Sequence, residues 1–206
     1  MKNILIIATP RSGSTNLLNA ISSAYNYDWV FEPTPSILNT RRWEIANNQV
    51  VKVIAYPYDG KQLKGNDTHY LKSSPNYPTF YKDIISQYDQ TILLSRRNLK
   101  EQVESLSVLL NGGRLDRVHL QLPTAKWISS DLDKIPIEEI NRIEQNMIVM
   151  RNTIEELSKE FNIPIDYYED VYSNKTLLNK NIKLDLDFLE KTKKCRTASL
   201  ENKYLL

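Results

Sequence analysis

The sequence predicts a single α/β domain, with a central parallel sheet of about five strands and helices on both faces. Short apolar runs alternate with segments of helical periodicity, beginning with the run Ile4–Ala8 and the amphipathic segment after Gly13. The run Val50–Tyr56 is β-branched and nearly continuous, which is typical of a strand buried on both faces of a parallel sheet. The length of 206 residues suits one well-buried domain, so we assign residues 1–206 to it.

The remaining elements follow from the same patterns. The further strands are predicted at Asp28–Phe31, Thr91–Ser95 and within Ile163–Val171, which also includes the exit from the last strand. Asn98 and Glu101 form a helix N-cap pair, and Glu169 and Asp170 are interpreted as structural. A long helix runs from Pro136 to about Phe161, with apolar residues spaced by three and four from Ile140 onwards. We interpret this 140–161 stripe as packing across the sheet, in preference to a homodimer seam.

Composition excludes several classes of function. A net charge of +2, without a long basic run, does not favour nucleic acid as a partner. The single cysteine, Cys195, indicates a reducing compartment. The apolar run near the N-terminus is too short for a signal peptide or a membrane anchor. We therefore expect a cytoplasmic protein without a membrane partner.

The stretch Ile4–Leu18 organises the chain. An apolar strand, a loop of small residues and a helix follow one another, an arrangement that directs loop amides and a helix N-terminus at an anion such as phosphate or sulfate. The nucleotide triphosphatase pattern G-x-x-x-x-G-K-[ST] is not met, because Ala8 replaces the first glycine and Ser14 replaces the lysine. The loop's only cation is Arg11, whose planar fork suits a terminal phosphate or sulfonate without a metal.

The segment Thr9–Thr15 resembles the 5′-phosphosulfate loop of sulfotransferases that use 3′-phosphoadenosine-5′-phosphosulfate (PAPS), where many members read P-R-S-G-[ST]-T. A second resemblance joins Arg97 and Ser105, which match the family's 3′-phosphate signature R-[DN]-P-x-x-x-x-x-S except for Leu99 in place of proline. The resemblance implies the strand order 2-3-1-4-5. It also implies that the cofactor is bound by Pro10, Arg11, Ser12, Gly13, Ser14, Thr15, Arg97 and Ser105.

Two carboxyl-edge residues are candidates for general base. Glu32 directly follows the second strand, one strand–helix–strand unit after Arg11, and the sulfotransferases of tyrosines and sugars place a catalytic glutamate there. His69 is the rival, because small-molecule sulfotransferases use a Lys-Thr-His run whereas this chain has only Thr68-His69. We rank Glu32 first.

Two further cations are assigned through the resemblance. Lys72 begins the run K-S-S-P-N-Y, which resembles the K-[ST]-x-x-Y loop of the sugar sulfotransferases and implies a cation at the leaving phosphate oxygen. Arg196 is the nominee for the late basic loop that contacts the 3′-phosphate, although that loop is usually glycine-rich and this one has no glycine.

The resemblance as a whole implies a PAPS-dependent sulfotransferase that needs no metal. It would transfer the sulfuryl group to a hydroxyl or amine of a sugar, a peptide tyrosine or a small metabolite, and would release 3′-phosphoadenosine-5′-phosphate. Two alternatives stay open: a P-loop kinase that acts on a small molecule, and a protein that binds a nucleotide without catalysis. The missing Gly-Lys pair and the Arg97–Ser105 signature disfavour the kinase.

Overall fold

A computed structural model describes residues 3–31, 47–55, 77–111, 132 and 134–191 of the chain. The strands in these ranges are β1 (Ile4–Ala8), β2 (Asp28–Phe31), β3 (Gln49–Ile54), β4 (Gln90–Ser95) and β5 (Ile165–Tyr167). The main helices are α1 (Ser14–Tyr25), α2 (Tyr77–Ile85), α3 (Leu99–Asn111), α4 (Ile137–Phe161) and α5 (Tyr168–Asn174).

The strands form one parallel sheet of five, in the order β2-β3-β1-β4-β5. The predicted fold class is therefore confirmed, and so is the strand order that the resemblance implied. The central strand β1 is buried along its whole length, between β3 and β4. After β1 the chain first forms β2 and β3 on one side of that strand, and it then forms β4 and β5 on the other side. Ligands of open α/β sheets bind outside the carboxyl ends of the strands at such a reversal.

Helices cover both faces of the sheet, each over its own apolar cluster. On one face α1 and α5 bury Leu17, Leu18 and Val171 against the alternate residues Ile4 and Ile6 of β1. The other face is covered by α2 and α4, and its cluster includes Leu5, Ile7, Tyr81, Ile154 and Leu157. Full burial of one such aliphatic side chain contributes about 1.5–3 kcal/mol, so these two clusters supply the main driving force for the fold.

The long helix α4 packs within the chain, as the sequence favoured. It begins after Pro136 and ends before Asn162, a left-handed residue with φ of 52°. Its stripe packs first against α3, through Ile143 and Met147, and then against the sheet, through residues such as Ile154. Among the helices of the described ranges, none combines the length and the apolar character needed to cross a membrane.

The strand β5 is shorter than the predicted run, because the chain becomes helical at Tyr168. Two carboxylates, Glu169 and Asp170, lie in the first turn of α5, where the positive end of a helix dipole favours negative charge. Within β5 the side chain of Asp166 is buried, with 4% exposure, and accepts a hydrogen bond from the Leu178 amide at 2.7 Å. Burial raises the pKa of Asp166 to about 6.

An Asp166→Asn variant should lose a pH dependence that the unchanged chain shows. The folded-state pKa of Asp166 lies above its unfolded value, so ionisation destabilises the fold as pH rises through about 4 to 6. Across that range the free energy of unfolding of the unchanged chain should therefore fall relative to that of the variant, by an amount on the order of 1–3 kcal/mol. Above it, the difference between the two proteins should be constant. Urea unfolding of both proteins between pH 4 and 8 measures this difference. A constant difference would contradict the prediction.

Candidate anion-binding site

The loop after β1 starts at the centre of the sheet's carboxyl edge. The Thr9 amide donates to the Leu94 carbonyl at 3.1 Å, and the Ala55 amide donates to the Ala8 carbonyl at 2.9 Å. These bonds hold the end of β1 between the ends of β3 and β4. The buried Ser12 hydroxyl then closes the turn by donating to the Thr9 carbonyl at 2.7 Å.

Two residues of the loop adopt the left-handed conformation. Arg11 has φ of 60° and Gly13 has φ of 78°. A side-chain-bearing residue in this region costs about 1–3 kcal/mol, and such strain persists where the surrounding structure enforces it. Turns in which left-handed residues alternate with right-handed ones can direct successive amides into a concavity that binds anions.

Gly13 is required for a second reason, the close approach of α5. A Cβ atom at Gly13 would lie 2.7 Å from Cδ2 of the Tyr168 ring, which is too close for any real contact. The Tyr172 hydroxyl donates to the Gly13 carbonyl at 2.8 Å. The loop therefore rests on two tyrosines, and a larger residue at this position would displace either the loop or α5.

The loop leads into the N-terminus of α1. The Gly13 carbonyl accepts the amides of Asn16 and Leu17, at 3.0 and 3.1 Å, which starts the helix. The amides of Ser14 and Thr15 precede these and have no carbonyl partner within the helix. Gly13 provides no side-chain cap, and the first turn contains no acidic residue. This end of α1 is thus suited to a negatively charged ligand.

Helix α3 is bonded to the same loop. The Arg11 Nε donates to the Ser105 Oγ at 2.9 Å. One turn earlier in α3, the fully buried Gln102 donates through Nε2 to the Pro10 carbonyl at 2.5 Å and to the Thr9 hydroxyl at 2.8 Å. The structure therefore brings together Arg11 and Ser105, which the sequence assigned to different phosphates. Gln102 could not be recognised from the sequence, because the pattern of an amphipathic helix does not distinguish a buried glutamine from an exposed polar residue.

The side chain of Arg97 is engaged elsewhere. Its two terminal nitrogens donate to the Asp170 carboxylate at 2.7 and 2.6 Å, and its guanidinium lies 4.2 Å from the centre of the Tyr167 ring. This pair lowers the pKa of Asp170 and raises the pKa of Arg97. Both side chains are about half exposed, at 52% and 50%. Arg97 follows the carboxyl end of β4, but the partner of its side chain is Asp170, whereas Ser105 bonds to Arg11.

The side chains of Glu169 and Asn98 hold the segment that connects β4 to α3, because both accept hydrogen bonds from backbone amides there. The Glu169 carboxylate accepts the Arg97 amide at 3.0 Å and the Asn98 amide at 3.2 Å. The Asn98 side chain accepts the Glu101 amide at 3.1 Å, which confirms the predicted N-cap. Glu169 therefore has a structural role, as the sequence indicated, because its carboxylate binds the two backbone amides that precede α3.

A residue that sequence analysis did not single out, Lys52, lies beside the loop. It belongs to β3 in register with Ile6 and Phe31, on the face that packs against α1. Only 2% of Lys52 is exposed, and its Nζ donates to the Thr15 Oγ1 at 3.3 Å and lies 3.9 Å from the centre of the Phe31 ring. A signal was present in the sequence, because a lysine interrupts an otherwise apolar strand at a position that must face a helix.

Four of the predicted site residues, Glu32, His69, Lys72 and Arg196, lie outside the described residues. Comparison of the sequence with protein-family models and with curated proteins gives no match. What the described site can do follows from its chemistry. The loop after β1 brings the Arg11 guanidinium and the uncapped N-terminus of α1 to the carboxyl edge of the sheet, and this set of donors suits a phosphate or a sulfonate.

Proposed function

We propose that this protein is a sulfotransferase that moves the sulfuryl group of PAPS to a hydroxyl or amine of an acceptor. The observation that supports this most is the bond between Arg11 and Ser105, with Gln102 beside it. It joins the loop that resembles the 5′-phosphosulfate site to the helix that carries the 3′-phosphate signature. Two segments that each resemble a phosphate-binding motif of this family are therefore in contact at one edge of the sheet, which supports the proposal.

The proposed reaction is an in-line displacement at sulfur. Glu32 takes the proton of the acceptor hydroxyl while the acceptor oxygen forms its bond to sulfur. The bond between sulfur and the bridging oxygen breaks, and its electron pair stays on the 5′-phosphate of the departing 3′-phosphoadenosine-5′-phosphate. Arg11 and Lys72 balance the charge that develops on that oxygen and on the sulfonate. The loop amides and α1 hold the phosphosulfate in line with the attacking atom.

The loop chemistry favours sulfuryl transfer over phosphoryl transfer from ATP. Kinases with this kind of loop place a lysine at the β- and γ-phosphates and a hydroxyl on Mg²⁺. Here the first helical residue is Ser14, with 4% exposure, and the cation is Arg11 on the preceding turn. Binding of PAPS and of its product should therefore be independent of Mg²⁺, which titrations with and without EDTA would measure.

The choice of nucleotide tests the proposal. The unchanged chain should bind adenosine 3′,5′-bisphosphate more tightly than AMP, and Arg97→Ala should remove that preference. One charge-assisted hydrogen bond contributes about 1.5–3 kcal/mol, which corresponds to roughly ten- to a hundred-fold in affinity. Isothermal titration calorimetry of both nucleotides measures the ratio. Equal affinities in the unchanged chain would contradict the assignment.

The matched control is Asp170→Asn, which breaks the same ion pair but keeps Arg97. An exposed ion pair contributes little to stability, so both variants should fold. Asp170→Asn should retain the preference for the bisphosphate or increase it, because Asp170 competes with the phosphate for the guanidinium. If Arg97→Ala and Asp170→Asn lose the preference for the bisphosphate equally, the ion pair between the two residues contributes only to the shape of the site.

A further inference from the structure

Lys52 is a buried cation in a place that packing alone would give to an apolar residue. The neighbouring position on the same face of β3 is Val50, which packs against α1 with Leu17 and Leu18. Lysine is rarely buried to 2% exposure without a specific interaction, because its charged form loses hydration. The Phe31 ring covers the ammonium on one side, and the Thr15 hydroxyl contacts it on another.

The direction of the hydrogen bond between Lys52 and Thr15 matters for the loop. An ammonium group has donors only, so the Thr15 Oγ1 must be the acceptor in this contact. The hydroxyl hydrogen of Thr15 is then directed away from Lys52 and is available to a different acceptor. Thr15 is the second residue of α1, in the turn whose amides have no helical partner.

We propose that Lys52 is a positioning residue of the anion site. It holds the Thr15 hydroxyl with its hydrogen toward the bound phosphate, and its positive charge lies behind the loop. A charge buried at this depth acts through a low dielectric, so it attracts an anion more strongly than a surface lysine does. This inference rests on the proposed function, because it assumes that the first turn of α1 binds the 5′-phosphate end of the donor.

A double-mutant cycle tests the inference, with inorganic phosphate and AMP as probes. Lys52→Met keeps most of the side-chain volume and removes the charge, and it should weaken binding of both probes about tenfold or more. Thr15→Val should weaken binding to a similar extent, whereas Thr15→Ser, which keeps the hydroxyl, should retain most of it. The double variant Lys52→Met/Thr15→Val should lose little beyond either single variant, because residues that act through one contact are not additive.

The charge-matched control is Lys82→Met, an exposed lysine on α2 across the sheet. It should leave both affinities unchanged. Thermal unfolding without ligand shows separately whether a variant has lost stability, and a merely structural role for Lys52 would lower that midpoint without changing the affinities. Unchanged affinities in Lys52→Met, or losses that add in the double variant, would overturn the inference.

The two proposals fail in different ways. If the unchanged chain binds AMP and the bisphosphate equally, the proposed function is contradicted, but the contrast between Lys52→Met and Lys82→Met with phosphate still decides the role of Lys52. If the unchanged chain binds none of the three ligands, both proposals are overturned.

Discussion

A Glu32→Gln variant should bind adenosine 3′,5′-bisphosphate as tightly as the unchanged chain and transfer almost nothing to a hydroxyl acceptor. A general base contributes about 10²–10⁴-fold to a rate, and glutamine keeps the size and the hydrogen bonding of glutamate while it removes the basicity. Glu32 follows the last residue of β2, and β2 ends at the same edge of the sheet as the candidate anion-binding loop between β1 and α1. Transfer of labelled sulfate from PAPS, with affinity measured in parallel, provides both quantities.

The control for this variant is His69→Ala, which should keep most of the activity. Glu32 and His69 each have a counterpart in a different branch of the sulfotransferases. The activities of these two variants therefore indicate which branch this protein resembles in its general base. The opposite result, an active Glu32→Gln and an inactive His69→Ala, would make His69 the base. A phenol-like acceptor would then be favoured over a sugar or a peptide.

Arg11→Ala should lower turnover with PAPS by about 10²–10³, the scale for loss of one preorganised electrostatic group in a transition state. The Arg11 guanidinium is oriented without a ligand, because its Nε donates to the Ser105 hydroxyl and the Arg11 backbone is held at φ of 60°. The contact strengthens as charge develops on the departing oxygen, so turnover should fall more than the affinity for the bisphosphate. Steady-state kinetics and calorimetry separate the two effects.

Two further variants identify what Arg11 contributes. Arg11→Lys keeps the charge but lacks the planar fork, so it should recover only part of the lost turnover. Ser105→Ala leaves the fork and removes its partner, and it should cause a smaller loss than Arg11→Ala. Normal turnover in Arg11→Ala would mean that the arginine only shapes the loop, and the proposed electrostatic role would be wrong.

The sequence predicted those features of the fold that depend on local patterns. The strand β1 and the start of α1 follow from an apolar run and a glycine at a turn, and the N-cap Asn98 follows from a short-range motif. The strand order came from the resemblance instead, because alternation of strands and helices is compatible with several orders. The long helix α4 was predicted nearly to its ends, since its stripe repeats over many turns.

The contacts between loops could not be predicted in the same way. The partner of Arg97 is Asp170 and that of Arg11 is Ser105, and each pair joins segments that are far apart in the chain. Sequence motifs indicate that an arginine lies near a strand end but not which of several neighbouring groups it bonds. Lys52 shows a related limit, because its role depends on Thr15, which reaches it only through the packing of α1 on β3.

The position of β1 at the centre of the sheet has a consequence for folding. Its two neighbours are β3 and β4, so the first strand of the chain pairs only with strands that come much later in the sequence. Each of these pairings closes a large loop, and the entropy of that loop is lost before new contacts compensate for it. Folding is slow for this reason. The candidate anion-binding loop starts between the ends of β3 and β4, so its native shape is complete only once both pairings have formed. An anion that binds only this completed loop will draw the folding equilibrium toward the native state by mass action.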